Sequence, residues 1–101
     1  MIIRMWHGRV KRDDAAAYRA FLEQRAIPDY QSVPGNLSVR ILERHDGDVT
    51  HFITMTAWEN FEVIKAFAGD DIEVAKYYPE DEGFLLEFEP GVVHYEVVAE
   101  S

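Results

Sequence analysis

Apolar residues crowd both parities at the start of the chain, where Ile2, Ile3, Met5 and Trp6 place bulk on either side of an extended backbone. Such a run predicts a strand from Ile2 to Val10 covered on both faces. The period then lengthens. Tyr18, Phe21, Leu22 and Arg25 recur at helical spacing after Asp13 and Asp14, either of which can cap a helix beginning near Ala15. Proline disfavours the α conformation in the residue before it, so this helix is expected to end before Pro28. Val33-Pro34-Gly35-Asn36 reads as a turn.

Strand-like patterning returns in Leu37 to Arg44 and Val49 to Trp58, joined through Asp46-Gly47, a dipeptide suited to a tight hairpin. A turn centred there pairs Leu42 with His51 and Ile41 with Phe52. Val39, Ile41, Phe52 and Thr54 then share one face, and Leu42, His51, Ile53 and Met55 share the other. Both faces are largely apolar. Asn60 caps a second helix with the stripe Phe61, Ile64, Phe67 and Ala68, ended by Gly69. Asp70 or Asp71 starts a short helical piece reaching Tyr77, which Pro79 stops. Glu80, Asp81 and Glu82 read as a solvated turn. Phe84, Leu86 and Phe88 alternate as a short strand available for packing between copies, and Gly91 to Val98 forms the last strand.

The order βαββαβ, with right-handed crossovers, predicts an α+β ferredoxin-like fold: a four-stranded antiparallel sheet with both helices on one face. Residues 1–101 are expected to form a single domain. The opposite face remains apolar and uncovered, so a second copy is the simplest cover and a homodimer is expected.

Composition narrows the functions open to such a fold. Hydrophobic residues make up 48% of the chain, too many for a disordered one. The absence of cysteine excludes disulfides and thiolate chemistry, and a cytoplasmic setting is expected. No apolar run approaches the roughly 20 residues of a membrane helix. The net charge of −9 is uneven: residues 1–44 carry eight Lys/Arg and five Asp/Glu, residues 45–101 two and fourteen. No basic face of any size results, so neither nucleic acid nor an anionic membrane is an expected partner. No two histidines have the close spacing of a metal site and no loop resembles a calcium hand, so neither metal nor cofactor is expected.

The stretch from Trp58 to Glu62, the run "IKAFAGDDIEVAKYYPEDEGFLLEFEP", "HYEV" and the opening "RMWHGRV" together resemble the antibiotic biosynthesis monooxygenase-like proteins of the dimeric α/β barrel superfamily. The resemblance covers almost the whole chain. It implies two ferredoxin-like copies closed into a dimeric α/β barrel. The activities it brings with it are cofactor-independent oxygenation of polycyclic aromatics and degradation of haem. Trp58 resembles the tryptophan that lines the pocket in both groups. The asparagine that accompanies it is replaced: His7 stands where the haem degraders would place theirs, and Thr54 where the quinone-forming oxygenases would. Tyr77 falls about where the haem degraders carry their iron-ligating histidine, which counts against that chemistry.

Oxygenation without a cofactor requires a substrate that can be deprotonated to an electron-rich anion, hence a base, a dry pocket and groups to hold the anion. His7 is the candidate base, histidine being the side chain that titrates nearest neutral pH. Trp58 and Tyr77 complete the candidate catalytic set. Thr54, Phe67, Tyr78 and His94 are the candidate pocket residues. The competing reading of each is ordinary: a histidine hydrogen-bonded at its strand, a tyrosine burying its ring with the hydroxyl at the surface. The expected function is oxygenation of a small aromatic or quinol-like metabolite. The alternatives are a non-catalytic dimeric binder of a small apolar ligand and, third, a haem-handling protein.

Overall fold

In the computed structural model, which describes residues 1–101, four strands form one antiparallel sheet. They are β1 (Ile2–Lys11), β2 (Asn36–Asp46), β3 (Val49–Trp58) and β4 (Val93–Glu96), in the order β2-β3-β1-β4. A helical layer covers one face. It consists of α1 (Ala15–Phe21), a π-helical segment (Leu22–Ala26), α2 (Ile27–Gln31) and, after β3, α3 (Phe61–Ala68). This is the expected α+β ferredoxin-like arrangement.

The first helix does not stop at Pro28. It runs on to Gln31, with Pro28 in the first turn of α2. The π segment explains the continuation: the Ile27 N–H bonds the Leu22 carbonyl, five residues back. This wider turn loosens the backbone where the proline ring, which lacks an N–H, would otherwise strike a carbonyl. It has a second consequence. Tyr18, Leu22, Ala26 and Tyr30 are four residues apart, a spacing that drifts around a regular helix, yet all four are buried. The π turn absorbs the drift and keeps the stripe on the sheet.

The hairpin register is shifted by two from the expected one. Asp46 pairs with Val49, Leu42 with Ile53 and Ile41 with Thr54, with Gly47 at positive φ in the turn. A shift of two preserves side-chain parity, so the two predicted faces survive. On β1 and β3 the even-numbered residues are buried under the helices while the odd-numbered ones, apart from exposed Lys11 and buried Ala57, are half-buried on the other side. Gly8 makes room within the buried row: a Cβ there would lie 2.5 Å from the Trp6 ring and 2.9 Å from Leu85. The Trp6 indole occupies space that a side chain at position 8 would claim.

The last third departs most from expectation. No helix spans Asp70–Tyr77, because the backbone there pairs instead with residues 90–92: Ala75 N–H donates to the Pro90 carbonyl and Val92 N–H to the Glu73 carbonyl, each at 2.9 Å. Phe84–Glu89 is not a strand either; Leu85 makes only an isolated bridge to Val10. The final strand is confined to Val93–Glu96 and pairs with Ile2–Met5. Between them Pro79–Gly83 forms a 3-10 turn. No helix is long and apolar enough to cross a membrane.

Candidate functional site

Between the helical layer and the sheet lies a small cavity lined by Trp6, Tyr18, Leu22, Ala26, Tyr30, Thr54, Lys76, Tyr78 and Asp81. Each wall has a local cause. The stripe kept in line by the π turn supplies Tyr18, Leu22, Ala26 and Tyr30. The sheet supplies Trp6 and Thr54, partners in the β1–β3 register. The irregular segment after α3 supplies the polar side. The void measures about 10 Å³, room for roughly one water.

Asp81, expected in a solvated turn, is instead 2% exposed. One of its carboxylate oxygens accepts from the Tyr18 hydroxyl at 2.8 Å and the other from the Tyr78 backbone N–H at 2.7 Å. Burial raises its pKa against the pull of those bonds. Spacing signals only the local bond, since an acid three residues into a turn that opens on Tyr78-Pro79 can accept from the turn's first N–H; the bond from Tyr18 has no local signal. Burial also pushes up the pKa of Tyr18, Tyr30 and Tyr78, and Tyr18 and Tyr78 donate to carboxylates. Tyr30 meets Thr54 Oγ1 at 3.0 Å, and Tyr78 donates to Asp29, which Lys76 also contacts at 3.1 Å.

The residues singled out from sequence divide around this cavity. Thr54 and Tyr78 line it. Trp58 is fully buried behind it, packed against Tyr30 and Phe67, its indole N–H donating to Thr56 Oγ1 at 2.8 Å. Phe67 stacks on Tyr30 at 4.4 Å between centroids. Tyr77 meets Trp6 edge-on and donates its hydroxyl to the Glu89 carbonyl. The Trp6 indole N–H is buried without an acceptor. His94 lies on the helix side beside Arg4, Nε2 to Nη1 at 3.1 Å.

His7 points the other way. Its parity on β1 places it on the uncovered face, where Nδ1 contacts Glu89 and Nε2 lies 2.9 Å from His51 Nδ1. The structure therefore does not bring His7 together with Trp58 and Tyr77 around the cavity; Trp6, its neighbour, is the β1 side chain that reaches it. No three His, Asp or Glu side chains converge as a metal site.

The family model for antibiotic biosynthesis monooxygenase matches residues 1–72. No curated protein matches the chain. Among solved structures, one of a Nitrosomonas europaea protein provisionally assigned as an antibiotic biosynthesis monooxygenase superposes with a TM-score of 0.69 at 19% identity, covering 98% of this chain and 100% of its own. One from Bacillus cereus, with the same provisional assignment, gives 0.68 at 14% identity, covering 99% and 95%. The haem degrader MhuD of Mycobacterium tuberculosis, with two haems bound in its active site, gives 0.67 at 18% identity over 100% and 99%. At these identities the likeness establishes the fold.

Proposed function

The chain belongs to the antibiotic biosynthesis monooxygenase family, and on that premise we propose that it oxygenates a small aromatic or quinol-like metabolite without a cofactor. The supporting observation is the cavity, where aromatic walls meet a buried carboxylate of raised pKa, Asp81. In this reading the helical layer parts, widening the present room for one water, to admit a phenolic substrate among Trp6, Tyr18 and Tyr30, and the substrate loses its acidic proton to Asp81. The resulting anion is rich enough in electrons to reduce O2 itself. One oxygen atom enters the substrate, the other leaves as water, and the substrate supplies the electrons. Asp81 takes the base role for which histidine's titration near neutral pH had pointed to His7, Tyr30 and Thr54 hold the anion by hydrogen bonds, and Trp58 with Phe67 backs Tyr30. Exclusion of water by the helical layer strengthens each of these interactions.

Oxygen uptake with a panel of phenols and quinols tests the reading. Uptake that Asp81→Asn abolishes is the expected result, and equal rates in the two proteins would refute Asp81 as the base.

One observation favours the non-catalytic alternative. Both Asp81 oxygens and the Tyr18, Tyr30 and Tyr78 hydroxyls already have partners within the chain. A binder would show ligand-dependent thermal stabilisation with no oxygen consumed. The Tyr77 hydroxyl is engaged by the Glu89 carbonyl, so the haem-handling reading is the weakest. Absence of a stoichiometric Soret shift on mixing with haem would eliminate it. For the uncovered sheet face we infer a second copy of the chain as cover, giving a dimer of these single-domain chains.

A further inference from the structure

A buried cation ordinarily faces a buried anion, because an unpaired charge taken out of water is costly. Arg4 lacks one. It is 2% exposed on the helix side of β1, yet no Asp or Glu forms an ion pair with it. Its guanidinium makes do with neutral partners: Nη1 donates to the Ile72 carbonyl and to His94 Nε2, and Nη2 reaches the Val74 carbonyl at 3.4 Å. Its Nε–H is buried without any acceptor. Burial and then the charge of Arg4 lower the His94 pKa, so His94 acts here as an acceptor rather than a second cation.

The neighbours of Arg4 connect it to the cavity. Phe67 lies 5.8 Å from the guanidinium and stacks on Tyr30, which is a cavity wall. The carbonyls holding Arg4 come from the segment after Gly69, whose φ of +89° marks a bend and which carries no helix or strand as far as Tyr78. A carboxylate offers two charged acceptors in the plane of the guanidinium fork, a better match than two separate carbonyls at uneven distances.

We propose that Arg4, flanked by His94, is an anion-binding subsite that takes the carboxylate of an aromatic acid: the Ile72 and Val74 carbonyls are displaced, and the space their segment vacates widens the Tyr30-lined cavity from room for one water to room for the ring. This rests on the reading of the cavity as a ligand pocket and names the ligand class: phenols or quinols that also carry a ring carboxylate, rather than neutral ones. Nothing covalent is involved.

The test uses benzoate and benzyl alcohol as probes at constant ionic strength. In ¹H–¹⁵N spectra of the wild type, the Arg4 Nε–H resonance is expected to shift with benzoate and stay in place with benzyl alcohol. By calorimetry benzoate should bind about tenfold tighter than the alcohol or better, a preference that Arg4→Gln removes. An unmoved Nε–H resonance at saturating benzoate would overturn the proposal, as would an unchanged preference in folded Arg4→Gln. If that variant does not fold, the wild-type resonance decides alone. Neither measurement reads oxygen, so a protein that takes benzoate at Arg4 and consumes no O2 keeps the subsite and loses the oxygenase reading. A protein that oxygenates phenols without favouring the anion keeps the oxygenase and loses the subsite.

Discussion

On the helix side of the sheet Trp6, Phe52, Thr54 and Trp58 are all buried, packed under α1, α2 and α3; on the other side Met5, Ile53 and Met55 stay half-buried, and Leu42, Val93 and Tyr95 are exposed. The two rows alternate along the same strands and are similarly apolar. What separates them is supply, since a chain of this length makes one helical layer and can cover one face. The covered face acquires a cavity with buried polar groups. The uncovered face keeps Met5, Ile53, Met55, Leu42, Val93 and Tyr95 around the stacked His7 and His51.

The largest effect should come from emptying the covered face. Trp58→Ala removes a fully buried indole packed against the stacked Tyr30 and Phe67 and is expected to cost about 3–5 kcal/mol in urea unfolding. A loss below about 1 kcal/mol would show that the layer is loosely packed and the contrast between faces overstated. Next is the uncovered face. Ile53→Lys places a charge among Met5, Met55 and Leu42, and by sedimentation the wild type should be a dimer and this variant a monomer. A monomeric wild type would leave the apolar surface without its cover.

How far these features could be read in the sequence follows the range of the interactions behind them. Parity along β2 and β3 was legible because a local alternation of Val39, Ile41, Phe52 and Thr54 fixes the faces even when register slips by two, whereas β1, apolar at both parities, left the face of His7 open. The Asn60 cap was legible for the same reason; its side chain accepts from the Val63 N–H at 3.1 Å. Pro28 misled because its local rule yields to a π turn, which the sequence does not announce. Residues 70–77 misled because their backbone partners, Pro90 and Val92, lie far along the chain. The site was hidden in the same way. Asp81 is buried by Tyr18, 63 positions distant, and Arg4 is engaged by Ile72 and His94, so neither could be placed before the topology was known.

A third, smaller effect belongs to Asp81 alone. Burial raises its pKa, so between the ordinary aspartate value of about 3.9 and the raised one the folded chain holds a proton that the unfolded chain has released. Unfolding in that window releases the proton, so this group makes stability fall as pH rises. Two other carboxylates act in the opposite sense. Burial raises the Asp29 pKa, but its bonds from Tyr78 and Lys76 outweigh that and lower it; the Arg19 bond lowers that of Glu43. Their contributions are present above the ordinary carboxylate range and lost as pH falls through the lowered values. Urea unfolding followed across pH should therefore decline less steeply above pH of about 4 in Asp81→Asn than in the wild type, and parallel curves would place Asp81 in a wetter setting than the cavity wall.

The smallest expected effect is the most discriminating, because it asks whether the two faces are independent. His7 stacks on His51 at 5.1 Å on the uncovered side and contacts Glu89, whose carbonyl accepts from Tyr77, whose ring in turn meets Trp6 at the cavity. This side-chain route between faces passes through a main-chain carbonyl rather than the Glu89 carboxylate His7 touches. Removing the imidazole leaves the carbonyl where it is. His7→Ala should accordingly change ligand affinity or oxygen uptake at the cavity by less than about twofold, well under 1 kcal/mol. A tenfold loss would mean that Glu89 transmits the change to Tyr77 and Trp6. The paired variant Tyr77→Phe would then decide the route, since a path through its hydroxyl makes the two losses non-additive.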